Sequence, residues 1–523
     1  MNRLSKTAAK GTLFQKPKSS RLLKSQKYRQ KNPKPENVEA VKPTAHNTVT
    51  TLNMGDFDML SRVTSKARAT QMNLLSKVDS FKQLKLHSVV REGVFTRYLN
   101  NTESQPTAVQ KVALKALLLD DKFSATLLAA ETGSGKTLAY LGPVLSNLLH
   151  SREKTSEKSK PTNPTSDSPS TIEEGEIEKN SDIDISTFTG KRRISNMVFV
   201  PTFELANQVY QTAKALTPEL NISLFAGSSN HTEDFARDVY NGIDLAILTP
   251  AKLLKFMNNY EEAASFALDK CSNLIVDEAD SLLNRSFEKE TMQAIDQCNA
   301  LRNLVFCTAT IPHSFDRTLV SKYPELRRLV TPSIHRLPRH IDFKVVEVWH
   351  KPYMNNKKLA LRQALYAIFH DNSEPNITKR VLVFVNRRSD VQGIADLLIE
   401  NGFNATALDH PPAERAEIIR SFMEPTKINN KNDVNDETNK AFGDQRMKVL
   451  VATDVCARGV DFHSLRNVIL YDMPFSAADL LHRAGRTGRL GKKGRVIMLV
   501  ERKDGKHWLK GLEKVVKKGQ ALA

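Results

Sequence analysis

The chain has 523 residues, a formal net charge of +19, 40% hydrophobic residues and a mean hydropathy of −0.40. A chain of this length exceeds what one hydrophobic core supports, so we expect two domains with extensions. No apolar stretch is long enough to cross a bilayer, which argues against membrane insertion. The excess of Lys and Arg favours a polyanionic partner, because these side chains neutralise phosphates and release counterions.

The N-terminal segment is strongly basic. Residues 1–35 contain eleven Lys or Arg and no Asp or Glu, which leaves 19 − 11 = +8 for the remainder. Ser and Thr are interleaved with apolar residues and a secretory apolar core is absent, a composition similar to that of a mitochondrial transit peptide. We therefore predict a transit peptide over residues 1–40 and an N-terminal extension over 41–79. A disordered basic arm that helps to hold RNA is the alternative.

A glycine-rich loop follows the apolar run 126–130 and precedes a helix-like segment. Strand, glycine loop and helix are the setting of a P-loop, where backbone N–H groups cradle phosphates at a helix N-terminus. We expect Lys136 to reach the β- and γ-phosphates and the Thr137 hydroxyl to take one magnesium position. The predicted nucleotide-binding loop comprises Ala130, Glu131, Thr132, Gly133, Ser134, Gly135, Lys136 and Thr137.

Further along, short apolar strands alternate with helical stretches, a pattern that predicts parallel sheets with crossover helices. Two polar inserts, about 151–190 and 424–446, cannot bury much apolar surface and are predicted to be mobile loops. Residues 326–342 lie between two sets of strands and are predicted to form a linker. The four cysteines form no Cys-x-x-Cys pair, which favours reduced core thiols over disulfides or zinc ligands. The sequence thus predicts an α/β fold with two lobes.

One apolar run, Leu274-Ile-Val276, ends in the adjacent carboxylates Asp277 and Glu278. A buried strand delivers such residues to the carboxyl edge of a sheet, where open α/β sheets bind their ligands. Alone, an acidic pair in this position is more often a solvated turn. Together with the glycine loop, it predicts a magnesium nucleotide site in which Asp277 holds Mg²⁺ through water and Glu278 orients and deprotonates the attacking water.

The ordered series of motifs resembles the DEAD-box family of ATP-dependent RNA helicases, within helicase superfamily two, over residues 80–505. The resemblance implies two RecA-like parallel-sheet lobes, with an ATP-binding lobe over 80–325, a C-terminal lobe over 343–505, and a basic tail over 506–523. The tail could touch RNA, although a solvated helix face is the simpler interpretation. The matching motifs lie at residues 106–110, 130–137, 201–206, 249–252, 277–280, 308–310, 384–386, 453–461 and 482–489.

The resemblance also implies roles for individual residues. Gln110 would read adenine, with Phe81 as the aromatic residue upstream, and Asp461 would contact the ribose. Arg486 and Arg489 would act as arginine fingers that stabilise charge on the γ-phosphate. ATP and Mg²⁺ are the implied cofactors, and the catalytic set also contains Lys136, Asp277 and Glu278. The residues expected to couple hydrolysis to RNA binding are Asp280, Thr308, Thr310 and His482.

RNA is expected to lie across both lobes and to be held through its phosphates and sugars. Several positions depart from the family pattern: Phe203 replaces an arginine, Ala226 a glycine and Pro412 a glutamine, while Ala251-Lys252 replaces Gly-Arg. We therefore predict an altered grip on RNA. By resemblance, the RNA-binding positions are Thr202, Gly227, Thr249, Pro250, Asn386, Arg415 and Thr453.

Three functions remain open at this point. The first is an ATP-dependent RNA helicase, the second an ATP-gated RNA clamp or assembly scaffold with little unwinding, and the third, least favoured, a DNA helicase. The basic N-terminus and the motif variants resemble most the fungal mitochondrial DEAD-box helicases of large-ribosomal-subunit assembly. That resemblance implies a monomer in the mitochondrial matrix that binds large-subunit ribosomal RNA and ribosome assembly intermediates.

Overall fold

The computed structural model describes residues 78–101, 103–117, 123–158, 193–227, 231–269, 271–371, 374, 377–424, 446–457, 462, 465–504 and 509–522. These residues belong to one compact unit, 49–523. The predicted transit peptide, most of both polar inserts and Asp461 lie outside the described residues. In the part of the chain that is described, no helix combines the length and the apolar character needed to cross a membrane.

The first lobe is built on a seven-stranded parallel sheet with strand order β3-β4-β2-β5-β6-β1-β7. Its strands are β1 (Ser124–Ala129), β2 (Asn196–Phe199), β3 (Ile222–Phe225), β4 (Leu245–Leu248), β5 (Asn273–Val276), β6 (Asn303–Thr308) and β7 (Arg327–Val330). Its helices are α1 (Ser88–Gly93), α2 (Ala108–Ala116), α3 (Lys136–Lys158), α4 (Phe203–Leu216), α5 (Thr232–Asn241), α6 (Pro250–Asn259), α7 (Glu261–Leu268), α8 (Ala279–Leu282), α9 (Glu288–Asp296) and α10 (His313–Lys322).

The second lobe is built on a six-stranded parallel sheet with strand order β10-β11-β9-β12-β13-β8. Its strands are β8 (Ile341–Glu347), β9 (Lys379–Phe384), β10 (Asn404–Ala407), β11 (Met447–Ala452), β12 (Asn467–Leu470) and β13 (Gly494–Val500). Its helices are α11 (Lys357–Phe369), α12 (Arg388–Glu400), α13 (Pro412–Met423), α14 (Asp454–Ala457), α15 (Ala477–Ala484) and α16 (Leu509–Lys518).

Each sheet is covered on both faces, which explains why its strands are continuously apolar. In β1, Leu128 enters one hydrophobic core and its neighbours Leu127 and Ala129 enter another. The second lobe has two further cores in the same arrangement. The predicted fold class is confirmed. All four cysteines are free and buried, as expected for core thiols.

Two predicted boundaries differ from the structure. The predicted linker 326–342 began too early, because Arg327–Val330 form β7 and pair with β1, so the stretch between the sheets is residues 331–340. The helix within the predicted tail 506–523 belongs to the second lobe, and its Lys514, Lys517 and Lys518 are exposed, as a solvated helix face requires. Leu512 and Val516 of α16 are buried in a core of the second lobe, and the helix packs against β8. Its lysines obscured this apolar face in the sequence.

Candidate active site and nucleic-acid interface

Neighbouring strands deliver the predicted site residues to the carboxyl edge of each sheet. In the first lobe, adjacent strands β5, β6 and β1 lead into Asp277, Thr308 and the glycine loop, whereas β3, β4 and β2 lead into Gly227, Thr249 and Thr202. One half of the edge therefore carries the residues predicted to bind ATP and the other half those predicted to bind RNA. This division follows from strand order alone.

The glycine loop has the backbone of a phosphate cradle. Gly133 and Gly135 have φ angles of 75° and 86°, a region that favours glycine. The Nζ of Lys136 donates to the carbonyl oxygens of Ala130 and Glu131 at 3.1 and 3.2 Å. The ammonium group is thus held at the base of the loop, where α3 begins and its N-terminal dipole favours an anion.

Gln110 connects the glycine loop to the residue that precedes α2 by hydrogen bonds. Its Oε1 accepts from the backbone N–H of Thr107 at 2.9 Å, and its Nε2 donates to the carbonyl oxygen of Gly135 at 3.2 Å. The Thr107 hydroxyl donates to the carbonyl oxygen of Ser134 at 2.7 Å. Both ends of the Gln110 amide therefore have protein partners, and each end keeps the capacity for one more hydrogen bond.

Asp277 is a buried carboxylate with two donors. Its Oδ2 accepts from the Tyr140 hydroxyl at 2.8 Å and its Oδ1 accepts from the Glu278 backbone N–H at 2.9 Å. Burial, followed by the nearby charge of Glu278, raises the pKa of Asp277 to about 6, while Lys136 and the Tyr140 hydrogen bond oppose this rise. Burial and the Asp277 charge raise the pKa of Tyr140 well above its ordinary value, so its proton stays in place. Tyr140 was not identified from the sequence.

Glu278 occupies a left-handed backbone conformation, with φ 49° and ψ 48°. This conformation is uncommon outside glycine, and it concentrates at functional sites. Its Oε2 is buried without a hydrogen-bond partner among the described residues. A buried carboxylate oxygen of this kind is available to bind a proton donor that enters the cavity.

Asp280 joins the two lobes. Its Oδ2 accepts from the hydroxyl of Thr310 and lies 2.8 Å from Nε2 of His482, which is contributed by α15 of the second lobe. The Thr308 hydroxyl donates to the carbonyl oxygen of Thr310 at 2.8 Å. All four residues predicted to couple hydrolysis to RNA binding therefore lie in one buried chain of contacts.

The arginines of the second lobe approach the glycine loop directly. A Cβ added to Gly133 would lie 3.2 Å from Cγ of Arg489, and one added to Gly485 would lie 2.1 Å from the hydroxyl of Thr132. A cavity of about 680 Å³ lies between these elements. Its lining combines residues of both lobes: Thr132, Gly133, Ser134, Gly135, Lys136, Thr137, Asp277, Glu278, Arg486 and Arg489.

Residues within and upstream of the predicted adenine motif also line this cavity. They are Tyr98, Leu99, Ser104, Gln105 and Thr107. Phe81, the expected aromatic, is instead 1% exposed in the core and makes an edge contact with Phe95 at 6.1 Å. Tyr98 ends a turn of π-helix, and such turns frequently occur at functional sites. The sequence signal that could have identified Tyr98 was its position as an aromatic residue just upstream of residues 106–110.

Aromatic rings pack near the predicted RNA-binding positions of the first lobe. A Cβ on Gly227, whose φ is 77°, would lie 2.9 Å from the ring of Phe203. Lys252 lies over the ring of Phe225, 4.8 Å from its centre, and burial lowers the pKa of this lysine. The Thr202 hydroxyl caps α4, Thr249 immediately precedes α6 without a side-chain capping bond, and Pro250 begins α6. Two of the positions that depart from the family pattern thus hold aromatic contacts.

In the second lobe, two residues predicted to bind RNA contact other residues of the protein. Asn386 accepts from Arg483 at 2.7 Å and donates to the carbonyl oxygen of Met473 at 3.0 Å. Arg415 forms an ion pair with Glu204 of the first lobe, with 2.7 Å between Nη2 and Oε1. Thr453 is 7% exposed at the end of β11.

Arg483 organises this edge of the second lobe. Its side chain is fully buried and donates to both carboxylate oxygens of Asp454, at 2.8 and 2.6 Å, and to the carbonyl oxygen of Asp472 at 3.0 Å. Together with its bond to Asn386, these contacts join the ends of β9, β11 and β12. The sequence placed Arg483 inside a motif without giving it a role.

Two protein-family models match the chain, DEAD/DEAH box helicase over residues 107–318 and helicase conserved C-terminal domain over residues 360–491. The chain is also 33% identical to the mitochondrial ATP-dependent RNA helicase MRH4 of Candida glabrata, over 90% of this chain and 84% of that relative. The chain belongs to the DEAD-box family of ATP-dependent RNA helicases. The helicase is 32% identical to MRH4 of Saccharomyces cerevisiae, over 90% of this chain and 87% of the relative.

Solved structures share the fold of this helicase. Mss116p bound to single-stranded RNA and AMP-PNP aligns with a TM-score of 0.61 at 18% identity, over 86% of this chain and 79% of that one. Saccharomyces cerevisiae Dbp5 bound to RNA and ADP BeF3 aligns with a TM-score of 0.55 at 18% identity, over 85% and 94%. The expected enzyme class, an RNA helicase with RNA-stimulated ATPase activity, is confirmed by the family.

Proposed function

We propose that this helicase remodels large-subunit ribosomal RNA in the mitochondrial matrix and contacts assembly intermediates of that subunit. The names of its relatives from Candida glabrata and Saccharomyces cerevisiae assign them to mitochondria. The composition of residues 1–35 supports the same compartment. The ribosomal substrate is supported by the resemblance of the motifs to the mitochondrial assembly helicases. The enzyme acts as a monomer in this proposal.

The observation that carries the enzymatic mechanism is the cavity between the two lobes. Acids and a lysine from the first lobe and two arginines from the second line the same space. In our proposal Lys136 binds the β- and γ-phosphates, Glu278 orients and deprotonates the attacking water, and Arg486 and Arg489 stabilise the charge that develops on the transferred phosphoryl group. Gln110 and Asp461 would bind the adenine and the ribose.

The residues at the cavity fit a magnesium ion. Asp277 provides a buried carboxylate, Thr137 at the start of α3 lines the same cavity, and Oε2 of Glu278 has no hydrogen-bond partner among the described residues. Hard oxygen ligands of this type suit Mg²⁺, which keeps several of its waters. When bound, the ion neutralises charge on the β- and γ-phosphates. Thr137 and Asp277 would hold it, and the Tyr140 hydroxyl would keep the Asp277 carboxylate oriented.

In this proposal the contacts of Asp280 couple ATP hydrolysis to RNA binding. Asp280 contacts Thr310 within the first lobe and His482 in the second, so the contact with His482 exists only when the lobes are together. We propose that ATP favours this closed arrangement and that hydrolysis releases it. RNA bound across both lobes would be bent locally on closure, and one strand of a duplex would be displaced.

The packing of Phe203 against Gly227 favours a second candidate function, an ATP-gated clamp with little unwinding. An arginine at position 203 would add a charge to the phosphate path, whereas the ring of Phe203 adds none and packs on Gly227. Measuring RNA-stimulated ATPase and strand displacement on the same preparation separates the two functions. Full ATPase stimulation without displacement supports the clamp. Equal stimulation by DNA and RNA would instead support a DNA helicase.

The proposed substrate is tested by crosslinking RNA to the protein in mitochondria and sequencing the bound sites. A Glu278→Gln variant, expected to hold RNA after ATP binding, should enrich the same sites, and a Lys136→Ala variant should lose them. We expect sites in large-subunit ribosomal RNA. Crosslinks confined to messenger RNA, or a protein found only outside mitochondria, would contradict the proposal.

A further inference from the structure

His335 lies in the stretch between the two sheets and caps the segment predicted to couple hydrolysis to RNA binding. Its Nε2 accepts from the backbone N–H of Ile311 at 3.0 Å, and Ile311 follows directly after Thr310. Because this nitrogen accepts, the ring is the neutral tautomer that carries its proton on Nδ1. The side chain is 3% exposed, so the bond forms away from bulk water.

The backbone of His335 is tied to the last described residues of the chain. Its carbonyl oxygen accepts from the N–H of Leu522 at 2.8 Å, and Arg336 forms an antiparallel bridge with Ala521. A Cβ added to Gly519, whose φ is 62°, would lie 2.6 Å from Nε of Arg339. We call residues 519–522 the C-terminal strap, because they lie along residues 335–339.

The C-terminal strap is anchored in the second lobe by the helix before it. Leu512 and Val516 of α16 are buried in that lobe's core, and Glu513 accepts from the backbone N–H of Val345 in β8 at 2.7 Å. A continuous set of contacts therefore runs from Thr310 in the first lobe, through Ile311 and His335, to the second lobe. This set is separate from the direct contact between Asp280 and His482.

The conformation of His335 is costly. Its φ of 61° lies in the left-handed region, where a side chain other than glycine is disfavoured. Glycine would be the simplest residue here, but it could not supply an acceptor to Ile311. A small cavity of about 30 Å³, lined in part by Thr132, Ala309, His335 and Arg489, lies beside the ring. The ring thus borders both the coupling segment and an arginine that approaches the glycine loop.

We propose that His335 is a positioning residue that couples ATP hydrolysis to RNA binding, and that the C-terminal strap holds it in place. When the ring is held, the N–H of Ile311 has its partner and residues 308–310 keep the geometry that contacts Asp280. When the C-terminal strap is released, the ring turns away and a buried donor loses its acceptor. The inference rests on the proposed coupling role of Thr308 and Thr310.

Two matched variants isolate the ring nitrogen. Gln at position 335 presents an acceptor oxygen at the end of a side chain of similar length, whereas Met has the same shape and only a weak acceptor. Both must adopt the same left-handed backbone, so the backbone strain is common to them. We expect His335→Met to reduce RNA-stimulated ATPase turnover on the order of 10-fold, the effect of one unsatisfied buried donor, and His335→Gln to restore most of it.

The KM for ATP and the RNA-independent ATPase rate should stay near their wild-type values in both variants, because His335 does not line the larger cavity that holds Lys136 and Glu278. A merely structural role would lower the RNA-stimulated and the RNA-independent ATPase rates together, and it would reduce the unfolding temperature of both variants. Equal loss in His335→Met and His335→Gln, or full RNA stimulation in His335→Met, would overturn the inference.

The C-terminal strap is tested by deleting residues 520–523, with deletion of residue 523 alone as the control. The longer deletion should reproduce the effect of His335→Met and the shorter one should not. A Thr310→Val variant separates the possible failures. If Thr310→Val keeps full RNA stimulation, the proposed coupling role itself is wrong; if it loses stimulation while the deletion and His335→Met do not, only the role of His335 and the C-terminal strap is wrong.

Discussion

Arg415 of α13 and Glu204 of α4 form an ion pair across the two lobes, with 2.7 Å between Nη2 and Oε1 and side chains that are 14% and 7% exposed. The sequence predicts that Arg415 binds RNA. In this structure its guanidinium joins the lobes, and it also lies 3.5 Å from Sγ of Cys456. This pair is therefore a contact of the closed arrangement, in addition to that between Asp280 and His482.

Glu204→Gln should make the closed state less stable. The change leaves the Arg415 charge largely buried without its partner, and both groups are hydrated once the lobes separate. The RNA concentration for half-maximal ATPase should rise about 10-fold, a value discounted for the residual exposure of Arg415. The double variant Glu204→Gln with Arg415→Met should recover part of this loss. Purely additive losses in the double-variant cycle would contradict a direct pairing.

Phe203→Arg should strengthen the binding of short single-stranded RNA. The added cation lies beside Gly227, at a position where the family has an arginine, and each added phosphate contact steepens the logarithmic salt dependence by about 0.7 for single strands. Phe203→Leu is the matched control, since it removes the ring without adding charge. Fluorescence anisotropy over a series of salt concentrations measures both quantities. An unchanged slope in Phe203→Arg would show that this groove does not contact phosphates.

Glu278→Gln should stop turnover without loss of ligands. The amide keeps the size of the side chain and its uncommon backbone conformation but cannot accept the proton of the attacking water. A loss of about 10²-fold or more in ATPase rate is expected from removing a general base. Binding of ATP and RNA should remain. Lys136→Ala is the contrasting control, because it should weaken ATP binding itself. Phosphate release at the wild-type rate in Glu278→Gln would reject the assignment.

Tyr140→Phe should weaken binding of the magnesium nucleotide in mildly acidic solution. The pKa of Asp277 is already raised to about 6 by burial and by Glu278, and the Tyr140 hydrogen bond opposes this rise. Removing the hydroxyl therefore raises this pKa further, so a larger fraction of the carboxyl is protonated below neutrality. Calorimetry should find affinity several-fold weaker than wild type at about pH 6 and nearly equal at about pH 8. An equal deficit at both pH values would exclude this cause.

Much of this fold follows from local sequence patterns. The strands of both sheets are short continuous apolar runs because both of their faces are buried, and the glycine loop needs Gly133 and Gly135 for its backbone angles. For these reasons the two lobes and the glycine loop could be predicted from local patterns. The placement of Arg486 and Arg489 at the same cavity followed only from the resemblance to the family.

The remaining features depend on contacts between distant segments. Glu204 and Arg415 meet only because the lobes face each other in this arrangement, which no local pattern encodes. The contact between Phe203 and Gly227 depends on the strand order β3-β4-β2. The role of Tyr140 depends on how α3 lies over the end of β5. The bonds of His335 require the C-terminal strap to return to the residues between the sheets.

The buried cation of Arg483 has a further consequence for how the second lobe meets ATP and RNA. Because one guanidinium holds Asn386, Asp454 and Asp472 together, these residues at the ends of β9, β11 and β12 are fixed when the lobe folds. The entropy of ordering them is lost at that stage and not when a ligand arrives. The second lobe therefore presents these residues to its ligands in a preorganised arrangement. The conformational freedom that a ligand still restricts lies mainly in the orientation of this lobe relative to the first.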